Sequence, residues 1–197
     1  MQRAMMDGIS DLPISVQFDF ATGIFSPYAD ISERRMSDLK EMFYDQSVVA
    51  AAMALDNPII YEIRYHPFLT SVSDMGLGVT RIFPGKVGDE YHMTKGHFHE
   101  QPNQPEIYFC VRGEGYLLLE TRVGEFEAVR WLPGTITHIP PQWAHRVVNT
   151  GADILVFVAS YHLAAGHDYA PILAHGFAQI VVEQDGAPAL IPNPRRI

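Results

Sequence analysis

Cysteine is nearly absent from this 197-residue chain: Cys110 stands alone, so no intramolecular disulfide can form, and a reducing compartment suits it. Positive charge is scarce too. Against 23 Asp and Glu there are 14 Lys and Arg, a formal net charge of −9, which speaks against nucleic acid as a partner. No apolar run approaches the roughly 18 residues of a membrane span, and the first residues lack a charged-then-apolar leader pattern. The expectation is a cytoplasmic protein with no nucleic-acid and no membrane partner. Repeats and low-complexity stretches are missing as well. What is present is 47% hydrophobic and 19% charged residues, the make-up of a chain that folds around a core.

The 15 glycines and 14 prolines are scattered between short apolar runs, the pattern of an all-β domain. Strands are expected near 59–65, 78–83, 107–112, 115–120, 128–132, Ile136–Ile139, 144–148 and 154–161. Turn signals such as Pro84-Gly85, Pro133-Gly134 and Asn149-Thr150-Gly151 separate them. Residues 154–159 show no polar alternation, so that strand should be covered on both faces. The N-terminal third differs: Gln46–Leu55, rich in Ala, Val and Met, reads as a helix with Asp45 as N-cap and Pro58 beyond its end. Near the C-terminus, 177–182 and 188–191 flank Asp185-Gly186 as a hairpin. Neither end carries enough apolar residues to fold alone. Residues 1–197 are therefore expected to form a single domain, a β core at about 58–163 with both ends packed on it and residues 1–7 loose.

Nine histidines make a metal worth seeking. In Gly96-His97-Phe98-His99 the imidazoles are two residues apart, so on a strand both leave one face. Glu106 follows a loop with Pro102 and Pro105, which can return the chain so that its strand lies beside the first. His145 arrives later, behind the Pro140-Pro141 corner. Taken singly, any histidine is an ordinary surface or core residue, and a bare His-x-His pair recurs by chance. Three imidazoles and a carboxylate, with coordination positions left open, suit a catalytic divalent transition metal. A structural zinc site would draw on thiolates, and there are none to spare.

The runs His97-x-His99-x6-Glu106-x6-Gly113 and Gly134-x5-Pro140-x4-His145-x3-Asn149 resemble the two cupin motifs. Six residues between His99 and Glu106, and Gln142 where glycine is common, are departures shared by one branch, the cupin-type glucose-6-phosphate isomerases. The likeness to that branch extends through Pro58-Ile59-Ile60-Tyr61-Glu62, Pro84-Gly85-Lys86-Val87-Gly88, Thr94-Lys95-Gly96, Pro140-Pro141-Gln142-Trp143 and Ala165-Gly166-His167-Asp168-Tyr169, from about residue 18 to 194. It implies a mainly β fold, a cupin jelly-roll (double-stranded β-helix) barrel with a short N-terminal helical segment, and a homodimer. It implies that His97, His99, Glu106 and His145 hold one divalent metal per subunit, Fe2+ foremost, with Zn2+, Mn2+ or Ni2+ able to substitute. It implies further that Tyr61, Thr80, Thr94 and Gly96 contact the phosphate of a sugar-phosphate substrate, and that Tyr108, Tyr161, His167 and Tyr169 line the sugar. Lys95 adds positive charge in the same block.

The reaction so implied moves hydrogen between C1 and C2. Glu106 is the nearest base for a proton passing through an enediol; in a direct hydride shift it is a ligand only, and the sequence leaves both open. Tyr161 and His167 are candidates for moving protons between oxygens or assisting ring opening, with packing as the ordinary alternative. A dianionic substrate meets a chain of net −9, so local groups must attract it: the metal, Lys86, Lys95 and neutral donors. Strand parity turns Thr94 and Gly96 away from His97 and His99 unless Gly96 breaks the strand. Two other classes stay in competition, an iron-dependent cupin dioxygenase and a non-catalytic sugar-phosphate-binding cupin. Elsewhere, His66 before Pro67 reads as a turn residue, His92, His138, His162 and His175 receive no role, Cys110 is placed to border the pocket, and Arg195-Arg196 reads as a solvated end.

Overall fold

The computed structural model describes residues 15–27, 30–66 and 75–196; the expectation for residues 1–7 lies outside them. In chain order the elements are β1 (Gln17–Asp19), β2 (Ile24–Ser26), β3 (Asp30–Arg35), α1 (Met36–Leu39), α2 (Gln46–Leu55), β4 (Ile59–His66) and β5 (Met75–Ile82). There follow β6 (Lys86–Val87), β7 (Glu90–Tyr91), β8 (Glu106–Arg112), β9 (Gly115–Thr121), β10 (Phe126–Trp131), β11 (Ile136–Ile139) and β12 (Trp143–Asn149). The chain ends with β13 (Leu155–His162), α3 (Ala170–His175), β14 (Gln179–Gln184) and β15 (Ala187–Pro192).

The strands pair antiparallel in the order β11-β8-β13-β5-β4-β3, opposed by β10-β9-β12 and β15-β14-β7-β6. Trp131 of β10 crosses between the layers to the Phe157 and Tyr108 rings, with centroids 5.5 and 6.0 Å away. This is the mainly β jelly-roll barrel that the motifs imply. β13 runs between β5 and β8, which accounts for its unbroken apolar run. Phe157 faces the barrel interior, while Val156 packs with Phe25 and Val79 under the β1–β2 hairpin.

All eight expected strands are present with ends shifted by a few residues, and α2 spans the residues expected of it. Asp45 caps α2: its Oδ1 accepts from the Ser47 and Val48 N–H groups at 3.0 and 3.1 Å. Asp185 and Gly186, at φ 54° and 78°, make the β14–β15 turn. Three expectations are corrected. His66 is not a turn residue but the buried last residue of β4. Arg195 and Arg196 are not a solvated end. Arg195 donates to the Met42 and Leu173 carbonyls (3.2 and 2.8 Å), and Arg196 to the His175 and Gly176 carbonyls (3.3 and 2.9 Å) and to Glu120. The last turn of α3 has carbonyls without helical partners, and these two guanidinium groups supply donors. Finally, β8 lies between β11 and β13, not beside residues 97–99. The His97 backbone bridges instead to His145, and that of Phe98 to Asp168.

Candidate metal centre

Three backbone pairings assemble the centre. His97 and His145 exchange backbone hydrogen bonds of 3.3 and 3.1 Å, which sets their rings side by side with centroids 4.4 Å apart. His99, two residues on, keeps to the same side, 5.6 Å from the His97 ring and 5.3 Å from that of His145. Glu106 opens β8 opposite Tyr161 of β13. The Phe98–Asp168 pairing, with bonds of 3.1 and 2.8 Å, draws in the residues flanking Asp168. The His167 ring lies 4.3 Å and the Tyr169 ring 5.7 Å from that of His97.

One ligand atom from each of His97, His99, Glu106 and His145 lies within 4.8 Å of all the others, so the four can hold a metal ion. Their donor chemistry fits such an ion. The His145 Nε2 atom is buried without a hydrogen-bond partner; it stands 3.1 Å from Glu106 Oε2 but out of line for a hydrogen bond. His99 Nε2 lies 3.1 Å from the same oxygen. The outer nitrogens are held from behind: His99 Nδ1 faces the Gln104 carbonyl at 2.8 Å and His145 Nδ1 the Trp143 carbonyl at 3.4 Å. Carbonyls behind Nδ1 fix that nitrogen as the donor and leave Nε2 free to ligate. Burial opposes a charged Glu106, but His145 and His99 outweigh it and hold its carboxyl down to about 2. Burial, reinforced by the neighbouring imidazoles, keeps His97 well below the ordinary histidine value, hence neutral as a ligand must be.

The cluster opens into a cavity of about 160 Å³ whose wall includes the four ligands together with Tyr61, Thr80, Thr94, Lys95, Gly96, Tyr108, Tyr161, His167 and Tyr169. Tyr61 and Thr80 come from β4 and β5, Tyr108 and Tyr161 from β8 and β13, and Thr94, Lys95 and Gly96 from the stretch before His97. Gly96 resolves the parity difficulty. At φ 71° it departs from strand geometry, and a Cβ there would meet Phe177 at 2.7 Å. Thr94 Oγ1 accepts from the Val147 N–H at 3.1 Å, which leaves its own proton to donate into the cavity. Burial raises the hydroxyls of Tyr108, Tyr161 and Tyr169 above their ordinary values, so they remain donors, and it lowers His167.

Two expectations fail at the cavity. Lys86 lies elsewhere, bound to Glu183 at 2.6 Å. Cys110 packs in the core outside the cavity wall, and burial pushes its thiol up to about 11. Two polar side chains of the cavity wall escaped the sequence reading, Arg34 and Tyr65. Tyr65 was discoverable, because Tyr61, Ile63 and Tyr65 alternate onto one face of β4.

Three imidazoles and a carboxylate converging inside an antiparallel β-barrel define a metal-binding cupin. A family model described as Glucose-6-phosphate isomerase (GPI) matches residues 33–190. The glucose-6-phosphate isomerase of Thermococcus kodakarensis is 42% identical over 183 residues, 93% of this chain and 96% of that protein. A putative glucose-6-phosphate isomerase 2 of Rhizobium meliloti is 37% identical over 86% of each chain. Among solved structures, Bacillus subtilis oxalate decarboxylase is similar at TM-score 0.44 and 19% identity, over 54% of this chain and 26% of that one. The chain belongs to the glucose-6-phosphate isomerase family, in its cupin-type branch.

Proposed function

We propose that the protein interconverts glucose 6-phosphate and fructose 6-phosphate at the centre formed by His97, His99, Glu106 and His145. The observation that carries this reading is the convergence of those four donors on the floor of a cavity walled by hydroxyl donors and a lysine, in a chain of this family. A divalent ion held there would polarise two neighbouring sugar oxygens as a Lewis acid. Fe2+ is the ion we assign, with Zn2+, Mn2+ or Ni2+ as substitutes, because imidazole and carboxylate together suit all of them.

Glu106, ionised near neutral pH, accepts the proton leaving one of the two carbons and returns it to the other, while an O–H proton passes between the two oxygens. His167, held neutral by burial, and the Tyr161 hydroxyl stand in the same cavity to carry that second proton. Tyr61, Thr80, Thr94 and the Gly96 backbone receive the phosphate, while Tyr108 and Tyr169 flank the sugar. We further read residues 1–197 as one domain acting as a cytoplasmic homodimer. A core cluster shared by α2, both layers and β14 supports the single domain, and exposed Ile107 and Ile136 on adjacent strands support the dimer.

The test is a coupled assay with fructose 6-phosphate on chelator-stripped protein, followed by restoring single metals. Activity should return with Fe2+ and in part with Mn2+ or Zn2+; no turnover with any metal overturns the reading. Solvent deuterium appearing in the product supports Glu106 as base, whereas full retention of the substrate hydrogen assigns a hydride shift.

A further inference from the structure

Two cations face the cavity, Arg34 and Lys95. Neither has a carboxylate within ion-pair distance among the described residues, although the chain holds more acidic than basic groups. Arg34 Nη1 bonds the Ser32 hydroxyl at 2.6 Å and the Glu33 carbonyl at 2.9 Å. Its neighbour shows the contrast. Arg35, on the outer face of the same strand, pairs with Glu33 at 3.1 Å. The alternation of β3 turns Arg34 inward, opposite Tyr61 of β4, and leaves it half-buried.

Arg34 and Lys95 line one cavity. Tyr61, which stands opposite Arg34 in the β3–β4 pairing, lines the cavity with both cations, as do Tyr65 and Tyr169. Lys95 Nζ lies 5.8 Å from the Tyr169 ring, whose other neighbour is His97. Tyr169 thus borders both Lys95 and the imidazole centre. Asp38 forms no ion pair with either cation; its Oδ2 accepts from the Arg35 N–H at 2.8 Å. Two cations that share a cavity without a carboxylate partner repel each other, and a bound anion offsets that cost.

We infer that Arg34 is a specificity-determining residue that binds the substrate's phosphate together with Lys95, so that the protein selects a phosphorylated sugar over a free one. This rests on the isomerase reading and adds to it the group that supplies charge where the neutral donors cannot. A guanidinium suits the task, because its fork of N–H donors matches phosphate oxygens.

The test compares R34Q and R34K with the wild type, each metal-loaded and checked for folding by circular dichroism. In R34Q the KM for fructose 6-phosphate should rise about 10- to 100-fold, with kcat changing far less. Competitive inhibition by inorganic phosphate should weaken by a similar factor, while inhibition by free fructose keeps its constant, and R34K should recover part of the loss. Equal weakening toward free fructose, or phosphate inhibition unchanged, overturns the inference. Thermal stabilisation by inorganic phosphate separates it from the isomerase reading. A wild type stabilised by phosphate through Arg34 yet unable to isomerise refutes the isomerase alone. An active wild type whose R34Q variant is stabilised equally refutes the role of Arg34 alone.

Discussion

Two carboxylates in this protein are buried almost equally, Glu106 at 5% exposure and Glu90 at 2%, and their chemistry is opposite. Burial opposes charge on both. At Glu106 two imidazoles stand 3.1 Å from one oxygen and prevail, so the carboxyl is held at about 2. At Glu90 the Tyr44 N–H donates to Oε2 at 2.9 Å, but Oε1 has no hydrogen-bond partner. Arg146 and Arg195 favour its charge from a distance; burial wins, and the carboxyl rises to about 7. The depth of the two sites is the same. What separates them is the number of polar atoms within bonding reach. Glu106 is therefore charged and faces the cavity, whereas Glu90 is half-protonated near neutrality and does not line it.

The largest effect expected from this contrast is at Glu106. Glu106→Gln keeps the shape, loses the charge and weakens the ligand set, so turnover should fall on the order of 10³-fold or more in the coupled assay. Metal content measured by mass spectrometry should fall with it. Activity within tenfold of wild type would place Glu106 with Glu90 as a merely structural carboxylate. His145→Ala removes the imidazole held from behind by Trp143 and should abolish metal retention while leaving the β-strand circular dichroism intact. Full activity in that variant would contradict the ligand set.

Glu90→Gln should leave isomerisation unchanged and alter stability instead. The native carboxyl titrates near 7 against an ordinary 4.5, so the native state holds its proton longer than the unfolded chain. Stability from this group is present in full below about pH 4.5 and is lost as pH rises through 7, an amount on the order of 3 kcal/mol. Denaturant unfolding of wild type should show that decline, and the Gln variant should lack it. Glu106 has the reverse sign. In metal-free protein its contribution is present above pH 4.5 and lost as pH falls toward 2. A Glu90→Gln protein with the wild-type slope would dissolve the comparison.

The legibility of these two sites in the sequence differs for a physical reason. His97, His99 and Glu106 lie within ten residues of sequence and His145 follows the Pro140-Pro141 corner, while period-two alternation alone puts the first two on one face. Glu90 sits in Gly88-Asp89-Glu90-Tyr91, which reads as a polar loop. Its burial comes from pairing with Val182, on a strand far along the chain. Arg34 was hidden likewise: Asp30–Arg35 is polar but for Ile31, and only its register against β4 decides which arginine turns inward. Lys86 shows the converse error, since a positive charge in a motif block does not say which cavity it faces, and Glu183 claimed it. Elements whose own pattern carries the fold were readable; edge strands whose faces are assigned by a distant partner were not.

The smallest effect belongs to the C-terminal tail. Arg195 lies near enough to favour an ionised Glu90, and its N–H groups serve the Met42 and Leu173 carbonyls. Arg195→Ala should cost about 1 kcal/mol through those hydrogen bonds, with no change in kcat. It should also move the upper end of the Glu90 decline to higher pH, because removing a nearby cation raises a carboxyl's pKa further. The pH dependence of denaturant midpoints in Arg195→Ala, set against Arg195→Ala combined with Glu90→Gln, isolates that movement, since the double variant has no carboxylate left to report it. An unmoved decline would mean that Arg146 alone balances Glu90. The tail would then act on α3 through its hydrogen bonds and not on the buried charge.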